Sequence, residues 1–527
     1  MRHSHKGIAS SDGLFMGPIR RLSGKHLQAR VATNPVTERN DLRRAINAAA
    51  SDIADLIATL EGDAQDILAF QLAMLEDDAL SAPAWLAIDA GLAADQAWAH
   101  TMNSEIAGYE AADDEYFRAR SADLADIRDR VLRHLAGADS SPTGSGAVLV
   151  GEDLAPSLFL ETDWSKGGAI VLTGGSHTSH VAMLARAKGI PMVVGLTRDI
   201  PAECTTLIVD GTTGLVIPDP TDDEQAAFNS DLARQASIRT AEKRFLHEPA
   251  RRKDGARIEV LVNIAGVEEL DHIDPKTCDG IGLMRSEFLF RDGAALPDEE
   301  TQYLAYRRFL EWAGQKPVTI RTLDIGGDKP IRGLTPEGEI NPFLGLRGVR
   351  LTLLQEAVFR TQLRALARAA VHGNLKVMIP MVTIPAELHQ SSDLLRSCID
   401  ELHSQGTPHA TPPLGIMVEV PAVAVAPELF RQSHFFSIGS NDLTQYVTAS
   451  SRDDSRVAPL NDPSHPAVLR LIEHVTQYGH QANIPVSLCG DMASDPVHLA
   501  SLLKTGLTSL SVAPARLARV KAAIAEL

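Results

Sequence analysis

Side chains able to do chemistry recur where short apolar runs end. Arg285 ends GIGLMR, Arg321 and Asp324 fall at the end of PVTIRTLD, and Glu419 lies in LGIMVEV. Asn441 and Asp442 follow FFSIG, and Cys489 stands near the end of IPVSLCG. Arg347 and Arg452 occupy the stretches after the PVTIRTLD and FFSIG runs. Guanidinium forks grip phosphate and carboxylate bidentately. Glu419 and Asp442 offer hard oxygen donors suited to Mg²⁺, with substrate oxygens and water completing the coordination. Cys489 adds a proton donor. Singly, each residue is consistent with a surface ion pair or a small buried hydrophobe. Several arginines and two carboxylates on one rim are costly to desolvate unless an anion and a cation bind there. The set therefore points to a small molecule carrying both phosphate and carboxylate.

A second focus is TGGSHTSHVAMLARAKGIPMVVG, residues 173–195. Glycines after an apolar run make a tight turn, Thr178 and Ser179 can cap, and residues 181–188 have helical composition. His180 then heads a helix, where free backbone N–H groups and the macrodipole favour a phosphoryl group on the imidazole. The same field disfavours imidazolium and keeps the ring nucleophilic. A capping histidine with a structural hydrogen bond is the competing reading, and His177, three residues earlier in the turn, is the internal competitor, in a location that suits touching a phosphate better than heading the helix.

These residues need elements to hold them. From residue 257 onward eight strand candidates alternate with helices: RIEVLVNI, GIGLMR, PVTIRTLD, LKVMIP, LGIMVEV, FFSIG, IPVSLCG and TSLSVAP. That rhythm in a stretch of this size fits one (β/α)₈ TIM barrel, whose chemistry gathers at the C-terminal strand ends. The runs AVLVGEDL, AIVLTGG, PMVVGL and TLIVDGTTGLVIP indicate a compact α/β domain around His180. Between an apolar segment near residues 8–19 and that domain lies a glycine-poor, Ala- and Leu-rich stretch, in which Ile67, Phe70, Met74 and Leu75 recur at helical steps. A helical bundle is expected there. SPTGSG at 141–146 reads as a joint, and a polar helix from Asp222 to Phe245 reads as a linker.

Length and composition bound the rest. The chain has 527 residues, 44% apolar and 22% charged, enough for several globular domains. Its net charge of −18 argues against nucleic-acid partners, whose binding relies on clustered cations. Residues 51–130 hold 18 acidic and four basic residues, a net −14, which is either a solvated helical surface or a docking face for a basic protein. Cys204, Cys278, Cys398 and Cys489 show no paired spacing and read as free thiols. No run reaches the roughly 18 apolar residues of a membrane helix. A cytoplasmic protein without membrane insertion is expected.

The motifs TSHVAMLAR, GIGLMRSEFLF, IRTLDIGGDK, NPFLGLRGVR, IMVEVPA, FFSIGSNDLTQY and LCGD occur in order from residue 178 to 491. Together they make the chain resemble enzyme I of the phosphoenolpyruvate-dependent sugar phosphotransferase system, from about residue 7 to the C-terminus. The resemblance implies an α/β protein with a C-terminal phosphoenolpyruvate-binding TIM barrel (251–527) and an N-terminal swivelling phosphohistidine α/β domain (1–20 and 136–220). It also implies an inserted helical, carrier-binding bundle (21–135) and a linker helix (221–250). In the family pattern His180 matches the histidine phosphorylated on Nε2. Arg285 and Arg321 match arginines on the substrate phosphate, Arg347 falls in the same cluster, Arg452 matches the arginine on the carboxylate, and Asn441 and Asp442 match adjacent binding residues. Glu419 and Asp442 match the Mg²⁺ ligands, and Cys489 matches the acid that protonates the enolate to give pyruvate. The implied partner is an HPr-type phosphocarrier protein, and the implied assembly is a homodimer through the barrel.

Three positions depart from the family pattern. Ser176 and His177 stand where Gly and Arg are common, which implies a weaker or pH-dependent phosphate contact near His180. Asp491 replaces a Glu beside the proton donor. The chain stops at Leu527 without the last helices common in relatives, so the usual barrel-to-barrel dimer is expected on less secure grounds. An ATP-linked pyruvate,phosphate dikinase or phosphoenolpyruvate synthase is the nearest alternative, but no Gly-x-x-x-x-Gly-Lys-Ser/Thr loop is visible. A catalytically idle phosphoenolpyruvate sensor is the other, and it would need neither nucleophile nor acid.

Overall fold

The computed structural model describes residues 4–22, 30–57, 63–110, 115–137, 146–175, 179–196, 198–290, 295–326, 331, 333–336, 338–451 and 457–527. The chain divides into two compact units, Met1–Arg234 and Gln235–Leu527.

The first unit contains an eight-stranded mixed sheet. Its strands are β1 (His5–Lys6), β2 (Ile8–Ser11), β3 (Leu14–Arg21), β4 (Val148–Gly151), β5 (Ala169–Leu172), β6 (Met192–Val194), β7 (Thr206–Asp210) and β8 (Leu215–Pro218), in the order β1-β8-β7-β3-β4-β5-β6-β2. The run from β3 through β6 is parallel, and both flanks are antiparallel. Strands β4, β5 and β6 are almost wholly apolar because both faces are covered, the usual condition of parallel sheets.

Between β3 and β4 the chain forms five helices: α1 (Pro35–Ile57), α2 (Asp63–Glu76), α3 (Asp78–Asp89), α4 (Ala94–Glu110) and α5 (Glu115–Leu135). In α1 the buried Leu42, Ala45, Ile46, Ala49 and Ile53 follow the three- and four-residue steps of one helix face. Of the stripe expected on Ile67, Phe70, Met74 and Leu75, Leu75 is buried and Met74 packs half-buried against the bundle core, Leu68 and Gln71 are buried beside them, and the side chain of Ile67 lies outside the described residues. Gln71 belongs to the buried face because its Nε2 donates to Asp126 of α5 across 3.1 Å.

The bundle is tied to the sheet by a clasp between α5 and α6 (Pro156–Glu161). Asp126 Oδ1 accepts from Ser157 Oγ at 2.6 Å, and its Oδ2 accepts from the Ser157 amide at 3.2 Å. One turn along each helix, the buried Arg130 pairs with Glu161 and with Asp52, the latter at 3.4 Å. Phe159 of α6 in turn packs in one cluster with Val181, Ala182 and Ala185 of α7 (His180–Lys188).

Helix α8 (Asp222–Lys243) follows β8, close to the expected linker helix. The second unit holds a closed, all-parallel barrel. Its strands are β9 (Glu259–Ile264), β10 (Ile281–Arg285), β11 (Pro317–Arg321), β12 (Asn374–Ile379), β13 (Leu414–Val418), β14 (Phe436–Ile438), β15 (Val486–Leu488) and β16 (Ser509–Val512). All eight expected runs form strands, with ends that differ from the expected ones by at most a few residues. Side chains alternate across the pleat. Val260, Ile320, Val377 and Ile416 pack outward with helix residues such as Phe359 and Val475. Leu283, Met378, Met417, Phe435 and Cys489 form a separate cluster on the other face, inside the barrel. All four cysteines are free thiols. Among the described residues no helix is long and apolar enough to cross a membrane. The joint at 141–145 lies outside the described residues.

Candidate active site

Parallel register sets the first pair of arginines. Arg285 and Arg321 are the last residues of β10 and β11 and are direct cross-strand partners, while Arg321 also pairs with Met378, which faces the barrel interior. Both guanidinium groups therefore leave the same side of the sheet at the C-terminal mouth. Arg285 is half-buried, and Arg321 is buried.

Arg321 meets two carboxylates: Nη2 lies 3.0 Å from Glu287 Oε1, and Nη1 lies 3.1 Å from Asp324 Oδ2. Asp324 is shared. Arg347 reaches it with Nε at 3.2 Å and Nη2 at 2.9 Å, a two-pronged contact, and extends Nη1 to within 3.6 Å of Asp442 Oδ1. Burial alone would favour loss of charge on these arginines, but Glu287 and Asp324 at Arg321, and Asp324 with Asp442 at Arg347, more than offset it and hold both firmly cationic. The loop that carries Asp324 is pinned from behind. Gln362 accepts from the Leu323 amide at 2.9 Å and donates to Ser286 and Tyr306, and Glu287 Oε1 accepts from the Asp324 amide at 2.9 Å.

Glu419 stands one residue beyond β13 and is 1% exposed. Its Oε1 accepts from the Met381 amide at 2.7 Å. Burial, then the neighbouring Asp442 and Asp324, push its carboxyl well above the ordinary range, and the arginines only partly counter them. Asp442 lies in the first turn of the helix Ser440–Thr448, which starts directly after β14 and Gly439. Buried side-chain atoms without a hydrogen-bond partner gather at this mouth: Glu287 Oε2, Arg321 Nε, Ser440 Oγ, Asp442 Oδ1 and Gln445 Oε1. Native interiors leave few such atoms, so a cluster of them marks a place where further polar groups bind.

Cys489 follows β15, and its amide donates to Ile438 O at 3.0 Å. The thiol is buried. Ser437 Oγ donates to Sγ at 3.4 Å, and burial pushes the thiol up to about 11, so it carries its proton at neutral pH. Met417 joins the two halves of the mouth, sharing the interior cluster with Cys489 while its Sδ lies 3.8 Å from Arg321 Nη1. Asn441 and Asp491 exchange reciprocal hydrogen bonds, both 2.9 Å, between the segments after β14 and β15. The shortened acid at 491 thus binds back to the protein. Tyr446, whose hydroxyl burial pushes up to about 12, donates to Phe343 O and accepts from Arg347 Nη1 at 3.4 Å.

In the other unit, Ser179 caps α7, its Oγ accepting from the Ala182 amide at 3.3 Å, and His180 is the first helical residue. Gly189 closes the helix in the left-handed region at φ 66°. The backbone at position 180 therefore lies at the positive end of α7, and the side chain of His180 lies outside the described residues.

The barrel mouth thus brings together Arg285, Arg321, Arg347, Glu419, Asn441, Asp442 and Cys489. Arg452, with Ser176 and His177, lies outside the described residues. Sequence reasoning did not single out Glu287, Met381, Ser437 or Tyr446. Each lies on or beside a strand end or within a motif already quoted, but none differs in type from a residue that merely packs.

Three family models match in succession. Residues 6–120 match "PEP-utilising enzyme, N-terminal", residues 143–214 match "PEP-utilising enzyme, mobile domain", and residues 239–527 match "PEP-utilising enzyme, PEP-binding domain". A phosphoenolpyruvate-protein phosphotransferase of Geobacillus stearothermophilus is 38% identical over 97% of this chain and 92% of its own length. One of Haloferax volcanii is 38% identical over 84% of this chain and 78% of its own length, and one of Cupriavidus necator is 37% identical over 91% and 86%.

Proposed function

Because the chain belongs to the phosphoenolpyruvate-protein phosphotransferase family, we propose that it takes the phosphoryl group of phosphoenolpyruvate onto His180 and passes it to a histidine of an HPr-type carrier. Pyruvate is released in the first half, and the whole is the opening step of a phosphotransferase system. The observation that carries the reading is the coexistence, at one barrel mouth, of cationic Arg321 and Arg347 with a buried, protonated Cys489.

In this reading Arg285, Arg321 and Arg347 hold the phosphate, and Arg452 and Asn441 receive the carboxylate end. His180 Nε2 attacks phosphorus as the bond to the enol oxygen breaks, a transfer governed by positioning and electrostatics. The enolate left behind takes the thiol proton of Cys489 at carbon and becomes pyruvate. Ser437 steadies the thiolate with a hydrogen bond, and a proton from solvent restores the thiol. The phosphoryl group then rests on α7, where the helix field favours the added negative charge.

The residues fit a divalent cation. Glu419 and Asp442 are hard oxygen donors, and Asp442 Oδ1 is buried without a hydrogen-bond partner. Among the described residues no cluster of three or more His, Cys, Asp or Glu could hold a metal alone. A carboxylate pair that leaves other positions to substrate oxygens and water is the habit of Mg²⁺. When bound, Mg²⁺ would neutralise charge on the phosphate and on the departing enolate.

Residues 21–135 are read as the carrier-docking bundle, 1–20 and 136–220 as the phosphohistidine domain, and 251–527 as the substrate barrel. A homodimer through the barrel, working in the cytoplasm, completes the reading. The deciding experiment is incubation with radiolabelled phosphoenolpyruvate and Mg²⁺. Acid-labile label on the wild type and none on His180→Ala supports the assignment. No label on the wild type leaves an idle sensor, and exchange between ATP and pyruvate makes it a dikinase relative.

A further inference from the structure

We propose that Met381 is a positioning residue whose strained backbone aims one oxygen of Glu419 at the cation. Its backbone has φ 57°, in the left-handed region that glycine and asparagine enter readily and methionine does not. It lies two residues beyond β12, is 1% exposed, and is not at a surface turn. Strain of this kind persists only where the surroundings over-determine the backbone.

Those surroundings are visible. The Val349 amide donates to Pro380 O at 3.3 Å, and Thr383 bonds both the Met381 carbonyl, at 3.4 Å, and Arg350, at 2.9 Å. Gly348, itself at φ 56°, leaves room on the other side: a Cβ there would come within 2.8 Å of Met381 Cβ and 3.2 Å of Asp324 Oδ1. Two successive strand-end segments are thus shaped to let one methionine adopt a disfavoured backbone.

What the strain secures is the amide hydrogen bond to Glu419 Oε1 at 2.7 Å. With that oxygen occupied, the carboxylate cannot rotate freely, and Oε2 is the oxygen left over. On the Oε2 side stands Gly439, where a Cβ would sit 3.0 Å away. The carboxylate plane is thereby fixed, with Oε2 the oxygen that this hydrogen bond leaves for the cation. Supporting shells of this kind commonly set metal affinity by tenfold or more.

The inference rests on the reading of Glu419 as a cation ligand, and the test separates the two. Mn²⁺ binding to the full-length protein would be titrated by electron paramagnetic resonance, with oxalate present as a planar stand-in for the enolate. Glu419→Gln is the control. Loss of Mn²⁺ binding in it upholds the ligand reading, and unchanged binding, or none in the wild type, overturns that reading and the inference together.

Met381→Gly and Met381→Asn keep the amide and accept positive φ, so their Mn²⁺ dissociation constants stay within about threefold of wild type. Met381→Val, β-branched and averse to that region, weakens binding by roughly tenfold or more. A packing role predicts the reverse order, with Gly and Asn weakest and Val and Leu tolerated, and that order would overturn the proposal with the ligand reading intact. If the Val variant does not fold, Gly against Ala decides it: Gly binding at least as tightly as Ala supports the proposal, and Ala binding more tightly than Gly refutes it.

Discussion

The hydroxyl of Ser437 donates to Sγ of Cys489 across 3.4 Å, inside the barrel and out of solvent. Burial raises the thiol, and this hydrogen bond works in the opposite direction because it favours the thiolate. Cys489 is thus set to keep its proton until an enolate asks for it. Ser437→Ala is expected to slow pyruvate formation by roughly ten- to a hundredfold, the worth of one hydrogen bond to a charged group, without changing phosphoenolpyruvate affinity. Stopped-flow assay of pyruvate release checks this, and an unchanged rate would leave Ser437 a packing residue.

Cys489→Ala should lower pyruvate formation by at least about a hundredfold, as expected for loss of a general acid, while substrate and Mn²⁺ still bind. The pH dependence has a definite sign. A thiol raised to about 11 stays protonated as pH climbs past the ordinary cysteine range, so thiol ionisation should not curtail pyruvate formation near pH 9. Thiolate ultraviolet absorbance, wild type minus Cys489→Ala, locates that ionisation, and a difference titrating near the ordinary value would contradict the buried arrangement.

Asp324 is the shared partner of Arg321 and Arg347. Removing one member of a buried ionic group typically costs about 3–5 kcal/mol, because the remaining charges are left uncompensated. Asp324→Asn should lower the unfolding free energy of the barrel unit by an amount of that order, seen as a downward shift of its urea midpoint, and it should raise the KM for phosphoenolpyruvate more than it lowers kcat. A neutral effect on both would mean that the arginines hold their orientation without it.

Chelation of divalent cations should stop labelling of His180, and added Mn²⁺ should restore it. Glu419→Gln should resist that rescue, whereas a surface change such as Glu356→Gln should not.

The acidic stretch at 51–130 predicts that phosphoryl transfer to a carrier slows as salt rises from about 0.05 to 0.5 M, since the screening length falls to a few ångströms. Labelling of the chain by phosphoenolpyruvate should change far less. Equal salt dependence of both steps would remove the acidic face from carrier encounter.

Legibility in the sequence followed the physics of each element. The barrel strands were readable because both faces of a parallel strand are covered, so LGIMV and its equivalents stand out as apolar runs. Arg285, Arg321, Glu419, Asp442 and Cys489 were readable because charged or reactive groups at the ends of such runs are conspicuous. Gln71 was hidden, since a glutamine on an otherwise apolar helix face looks like a surface residue until Asp126 is seen to receive it. Met381 was hidden for a different reason: its contribution is a backbone angle and an amide, which no side-chain pattern encodes.

The clasp of Asp126 and Arg130 with Ser157 and Glu161 carries a consequence for partner choice. It joins the bundle to the layer from which α7 springs, through Phe159 and its neighbours. In the proposed reading, a carrier docked on the bundle would meet residue 180 across a span that this clasp sets. On that reading acceptors would be sorted like keys against a gauge, by how far their reactive side chain projects as well as by the charge of the face that docks.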